Sequence, residues 1–196
     1  MSSNRRPLLA LLLLVLAGCS TTAVSLDYTR APAPVAGARP QVAVGSFADQ
    51  RRDGDPRQLG AIRGGMGNPL KTLVLAEDAS VVVQKAFSQA LDKRGLLAPS
   101  GSGHYTLSGV INKLDCSQLM RREAHADIAV SLTNNATGKV VWQQIAHAEV
   151  VTEPASAFDV GVGASVEDLQ AVAAKALQDA IDDALSNARF AQAMAG

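Results

Sequence analysis

The sequence predicts a two-layer α/β sandwich: two helices packed on one face of a mixed or antiparallel sheet, in the order β-α-β-β-β-α. Two observations predict it. A helix-period apolar stripe recurs on either side of a block of strand-period segments, and each stripe is apolar on one side only. A helix with a single apolar face needs one surface to cover, and one sheet face supplies it.

The elements follow in chain order. Arg5 and Arg6 precede the apolar run Leu8 to Leu16. That run is too short to span a bilayer, which takes about 20 apolar residues, but its length suits a secretory signal. It ends in Leu16-Ala17-Gly18-Cys19, which resembles the lipobox of bacterial lipoproteins. The resemblance implies that residues 1–18 are removed and that Cys19 is acylated, with the membrane reached through that lipid. Two or more acyl chains give stable anchoring where one gives only marginal binding. Ser20 follows the cysteine where inner-membrane retention favours Asp, so the resemblance implies the periplasmic face of a Gram-negative outer membrane. Residues 19–40 are rich in Ser, Thr, Ala and Pro, and are expected to form a flexible tether.

Residues 41–190 are expected to form a single domain, with 191–196 as a tail. Gln41 to Phe47 reads as the first strand. Asp49 to Gly67, dense in charge and glycine, reads as a long loop, and Leu73-Val74-Leu75 as a short extra strand. A helix starts at Glu77 or Asp78, where acids suit its positive end. It turns Val82, Val83, Ala86, Phe87, Ala90 and Leu91 to one side, and Gly95 is placed for a left-handed C-terminal cap. Tyr105 to Ile111, Ala126 to Leu132 and Val140 to Val151 alternate as strands. Asn134 to Gly138 supplies turn chemistry between the last two. Pro154 to Gly163 reads as a second loop. Ser165 and Asp168 resemble a capping box. The helix they open buries Leu169, Val172, Ala173, Ala176, Leu177, Ile181, Ala184 and Leu185, leaving Asp179, Asp182 and Asp183 on a solvated acidic face.

Composition excludes several classes. The 18 basic and 18 acidic residues balance, and loss of Arg5 and Arg6 with the signal leaves a net charge of about −2. No basic field or aromatic platform for nucleic acid is present. With Cys19 acylated, Cys116 is the one remaining thiol, so no internal disulfide can form; it is expected to be a small residue in or beside a strand. The glycine-rich Gly60 to Gly67 lacks the Gly-Lys-Ser/Thr ending of a phosphate loop. His125, His147 and Asp127 approach one another only in one of two strand registers, and a zinc site takes at least three protein ligands. No nucleophile elbow or Ser-x-x-Lys motif is present. The sequence therefore predicts no catalytic residues, no metal and no cofactor. The candidate partner-binding residues are Arg51, Arg52, Arg57 and Arg63, an arginine excess in a loop between a strand and a helix.

Asp49-Gln50-Arg51, Leu59-Gly60 and Leu91-Asp92-Lys93-Arg94-Gly95 resemble the YajG-like family of bacterial lipoproteins. Asn135 to Trp142 is similar to the hairpin of envelope lipoproteins with TolB-amino-terminal-like folds. The resemblance implies a non-enzymatic outer-membrane lipoprotein that serves a cell-envelope process by binding protein partners. The alternative is an auxiliary lipoprotein that handles lipid or glycan for a transport system.

Overall fold

The computed structural model describes residues 20–32, 39–52, 54–99, 103–153 and 161–194. The signal segment and Cys19 lie outside the described residues. Among the described residues one mixed sheet of seven strands carries three helices. The strands are β1 (Ser20–Val24), β2 (Val42–Asp49), β3 (Gln58–Arg63), β4 (Pro69–Leu75), β5 (Tyr105–Gln118), β6 (Arg122–Asn134) and β7 (Lys139–Thr152). Helix α1 (Ala79–Lys93) lies between β4 and β5, and α2 (Val166–Leu185) and α3 (Ala188–Ala193) close the chain. The predicted β-α-β-β-β-α order gains three strands and a helix. No described helix is long and apolar enough to cross a membrane.

The long strand β5 organises the sheet. One of its edges pairs antiparallel with β6 along its whole length, and β6 pairs antiparallel with β7. The other edge is shared: β2 runs parallel to its first half, Val42 opposite Tyr105, and β3 parallel to its last residues, Ile62 opposite Gln118. β3 turns back into β4, and β1 pairs parallel with β4, Ser20 opposite Lys71. Gly60 permits the β3–β5 approach, because a Cβ there would lie 1.8 Å from the Cys116 carbonyl oxygen.

Both helices form where their periodicity placed them, and every residue named on either stripe is buried. α1 ends in a Schellman cap: Leu96 N–H donates to the Leu91 carbonyl and Gly95 N–H to that of Asp92, with Gly95 at φ +71°. Ser165 caps α2 by accepting from Asp168 N–H at 3.1 Å, while the Asp168 carboxylate accepts from Arg122 instead of closing the box. The Asn134–Gly138 turn is as expected: Asn134 Oδ1 accepts from Ala136 and Thr137 N–H, and Gly138 takes φ +66°.

Three expectations need correction. The tether was expected to begin at Cys19, but β1 starts at the next residue, and Val24, Leu26 and Tyr28 join the core. Ser-Thr-Thr-Ala-Val pairs through its backbone against β4, which composition does not register. The loop expected over 49–67 contains β3, and the extra strand is the whole of β4, so residues 58–75 form a hairpin. Only Leu59, Ala61 and Ile62 are buried within β3, too few to stand out among the arginines and glycines. The tail also starts later than expected, since α3 reaches Ala193 and buries Phe190 against Trp142.

Candidate functional site

The four candidate arginines do not converge. Arg51 is buried, 9% exposed. Its guanidinium donates to both Asp49 carboxylate oxygens, at 2.9 and 2.8 Å, and to the carbonyls of Pro56, Gln58 and Leu114. It ties the β2–β3 connection to β5. Burial works against the Asp49 carboxylate, but the hydrogen bonds from Arg51 outweigh it and hold the carboxyl below its usual range. Arg57 is exposed and donates to the Leu75 carbonyl at 2.8 Å; Arg63 is exposed at the β3–β4 tip and donates to the Gly67 carbonyl at 3.0 Å. Arg52 is exposed beside a depression of about 390 Å³ lined by Asn112, Lys113, Asp115 and Asp127.

That depression belongs to the sheet face opposite the helices. Strand alternation turns Ser108, Val110, Ala129, Ser131, Gln143 and Ile145 to this side while Leu107, Val130 and Ala146 face the core. A second depression of about 480 Å³ is lined by Val110, Ala129, Gln143 and Ile145, with Ile145 64% exposed. Two charged rows lie along one side of it, and the uncharged Ser108, Ser131 and Gln143 row lies along the other. His125 stands opposite Glu149 on one side and Asp115 on the other, its Nδ1 2.8 Å from Asp115 Oδ1. His147 stands opposite Asp127 and pairs with it. The two histidines therefore share a face, each with its own carboxylate. Among the described residues no group of three or more His, Cys, Asp or Glu is placed to hold a metal ion. Cys116 points the other way, into the core, and burial with the nearby Asp115 charge pushes its thiol up to about 12. It stays protonated at neutral pH, unlike a nucleophilic thiolate.

A third cluster escaped the sequence reading. After β1 the chain crosses the seam between α1 and α2. Tyr28 N–H donates to Gln89 Oε1 at 2.7 Å, and its hydroxyl to Asp182 Oδ1 at 2.6 Å. Asp182 also accepts from Arg30 at 2.6 Å and from buried Arg94 at 2.6 Å, and Asp179 accepts from Arg30 and Lys175. The Arg94 guanidinium lies 5.4 Å from the Tyr28 ring centroid. Burial opposes the Asp182 charge, and the donors from Tyr28, Arg30 and Arg94 still lower its pKa. Of the three acids expected to be merely solvated, Asp179 and Asp182 instead hold the amino-terminal arm, while Asp183 accepts from Gln144 on β7. Tyr28 and Asp182 are 154 positions apart, so no local pattern signals their pairing.

Solved structures similar to this chain include protein XCC0632 from Xanthomonas campestris, of family DUF330, at 14% identity. The match covers 91% of this chain and 100% of that one, with a TM-score of 0.58. An uncharacterised protein is 11% identical over 85% of this chain and 95% of its own, with a TM-score of 0.50. Lipoprotein GNA1162 from Neisseria meningitidis overlaps 60% of this chain and 87% of its own at 11% identity and a TM-score of 0.31. At these identities the likeness is one of fold. No protein-family model and no curated protein matches the sequence.

The three motifs behind the family resemblance now have physical roles. Asp49 and Arg51 pin the β2–β3 connection, Gly60 lets β3 meet β5, and Arg94-Gly95 caps α1 and holds the arm. All three serve the architecture.

Proposed function

We propose that this chain is a non-enzymatic, YajG-like outer-membrane lipoprotein, acylated at Cys19, that serves an envelope process by binding a protein partner on its uncovered sheet face. The lipobox and Ser20 support the anchor and its membrane. One observation supports the binding reading above all: every described helix lies on one side of the sheet, and the other side presents Ile145 and Val110 between charged rows on one flank and the polar Ser108, Ser131 and Gln143 row on the other. An apolar centre inside a polar rim is the usual anatomy of a protein interface. Arg52 lies at the edge of this face, and arginine is enriched among interface hot spots. Arg57 and Arg63 lie away from it and would contact only a partner that reaches around the sheet. The reading is tested by a photo-crosslinking residue at position 145 in cells. A discrete heterologous adduct, lost when Gln143→Asp and Val110→Asp are added, is the expected result. Absence of an adduct, or the same adducts from a probe on the outer side of α1, overturns it.

The alternative, an auxiliary lipoprotein handling lipid or glycan, is favoured by one feature. A groove of about 470 Å³ runs between β2 and α1, lined by Val44, Val81 and Leu97 with Gln84 and Ser88. Acyl chains or saccharides co-purifying with the protein, and lost on Val81→Asp, would favour it over the sheet face.

A further inference from the structure

The strand directions bring several dispersed segments to one end of the sheet. β3 and β5 run parallel and finish together, Ile62 opposite Gln118. The β3–β4 tip (64–68) and the β5–β6 turn (119–121) are therefore neighbours. β1 begins at this same end, since Ser20 pairs with Lys71 two residues into β4. Seven large apolar side chains are exposed among the described residues, and three of them crown these two turns: Met66 at 98%, Met120 at 72% and Leu119 at 41%. Nothing in the fold requires them there. Gly67 takes φ +79° and Gly67 N–H donates to the Gly64 carbonyl, so glycine and backbone bonds make the β3–β4 turn while Met66 projects free.

Cys19 precedes Ser20 directly, and consecutive Cα atoms are about 3.8 Å apart. An acyl group on Cys19 would therefore leave the protein at this end of the sheet, with no slack between lipid and fold. We propose that this end rests on the bilayer, with Met66, Leu119 and Met120 entering the membrane interface beside the acyl chains. The proposal rests on the Cys19 anchor reading and adds a second, protein-borne contact that fixes how the domain stands. One acyl chain binds marginally and a second signal makes anchoring stable, so an apolar tip next to the lipid adds to retention. The charges nearby are close to balanced. Arg121 pairs with Glu123 and also feels Glu153, Arg122 pairs with Asp168, and Glu167 feels Lys71, so with Arg63 four cations meet four carboxylates. Docking is therefore apolar and should be insensitive to salt. The uncovered sheet face then stands upright from the membrane, its β6–β7 turn farthest away.

The test uses the mature chain from Cys19, coupled through that thiol to maleimide lipid in phosphatidylethanolamine–phosphatidylglycerol vesicles. Cys116 is 3% exposed and its thiol is pushed up to about 12, so coupling is confined to Cys19. Met66→Trp, Met120→Trp and Val140→Trp each add one indole to buried Trp142, and Val140 marks the opposite end of the sheet. Brominated acyl chains should quench the first two roughly twofold or more over the third, at about 0.1 M and about 1 M salt alike. Equal quenching at all three positions, or quenching that vanishes at high salt, overturns the proposal. Mass analysis of Cys19 from native membranes tests the anchor separately. An unmodified Cys19 there defeats the anchor reading whatever the vesicles show, because the coupled protein does not depend on cellular acylation.

Discussion

Helix α2 and the amino-terminal arm over residues 20–30 are held against the same core by opposite means. α2 buries ten residues along its length, so its attachment is spread over many small apolar contributions. The arm buries Val24, Leu26 and Tyr28 and then depends on a few polar groups, with Asp182 accepting from three side chains. Spread burial leaves a periodic trace in the sequence and tolerates pH and salt. Concentrated attachment leaves no such trace and responds to both.

The largest effect should come from the spread region. Leu177 is 1% exposed in the α2 stripe, and Leu177→Ala is expected to cost about 2–5 kcal/mol in urea unfolding, the range for a buried leucine. A cost under about 0.5 kcal/mol, typical of surface sites, would break the comparison by making the stripe dispensable. This part of the fold was legible for a physical reason. Helix and hairpin positions are set by neighbours three or four residues away, or by one turn such as Asn134–Gly138, and those signals lie within a short window.

Next comes Arg51, which composition placed in an exposed loop. It is 3% exposed at its side chain, and five hydrogen bonds from its guanidinium join Asp49 to three carbonyls. Arg51→Ala strands the carboxylate and those carbonyls. Asp49 is still 20% exposed, which softens the loss, so a cost of about 2–3 kcal/mol is expected. Arg51→Lys should recover only part of it, because an ammonium cannot match a planar fork. A melting temperature unchanged in Arg51→Ala would return this arginine to the surface. The residue escaped the sequence reading because its acceptors come from β5, β3 and the end of β2 as well as its own connection, and only the folded sheet assembles them.

The arm should respond more gently and in a characteristic way. Asp182→Asn and Tyr28→Phe each remove part of the cluster and are expected to cost roughly 1–2 kcal/mol. Their clearest sign is faster hydrogen exchange at the Tyr28 amide, with α2 amides nearly unchanged. Acid should do the same to the unmutated protein. Asp179 and Asp182 are held below the usual carboxylate range in the fold, by donors that outweigh their burial. Their contribution is therefore complete above the unfolded value of about 3.9 and is lost as pH falls through the lower folded values. The arm's amides should lose protection over that acid window, and Asp182→Asn should flatten the response. An arm that stays protected to the end of the α2 transition would show that apolar burial alone holds it.

The smallest effect sharpens the division between arginines that build the fold and those that face outward. Arg52 and Arg63 lie in the same charged segment as Arg51, and composition cannot separate the three. Burial does: Arg52 and Arg63 are exposed, and Arg63 donates to the Gly67 carbonyl in its own turn. Exposed charges contribute little to stability, so Arg52→Ala and Arg63→Ala should each move unfolding by less than about 0.5 kcal/mol. Their functional consequences should then diverge. Arg52 borders the depression on the uncovered sheet face, so Arg52→Ala should weaken the adduct formed from position 145. Arg63 lies at the β3–β4 tip, away from that depression, and should leave that adduct intact. If both weaken it equally, the partner reaches around the β3–β4 hairpin, and the sheet face and the tip act as one surface. If Arg52→Ala instead unfolds the protein as Arg51→Ala does, the whole Asp49 to Arg63 segment is scaffold, and partner recognition rests on Ile145 and its neighbours alone.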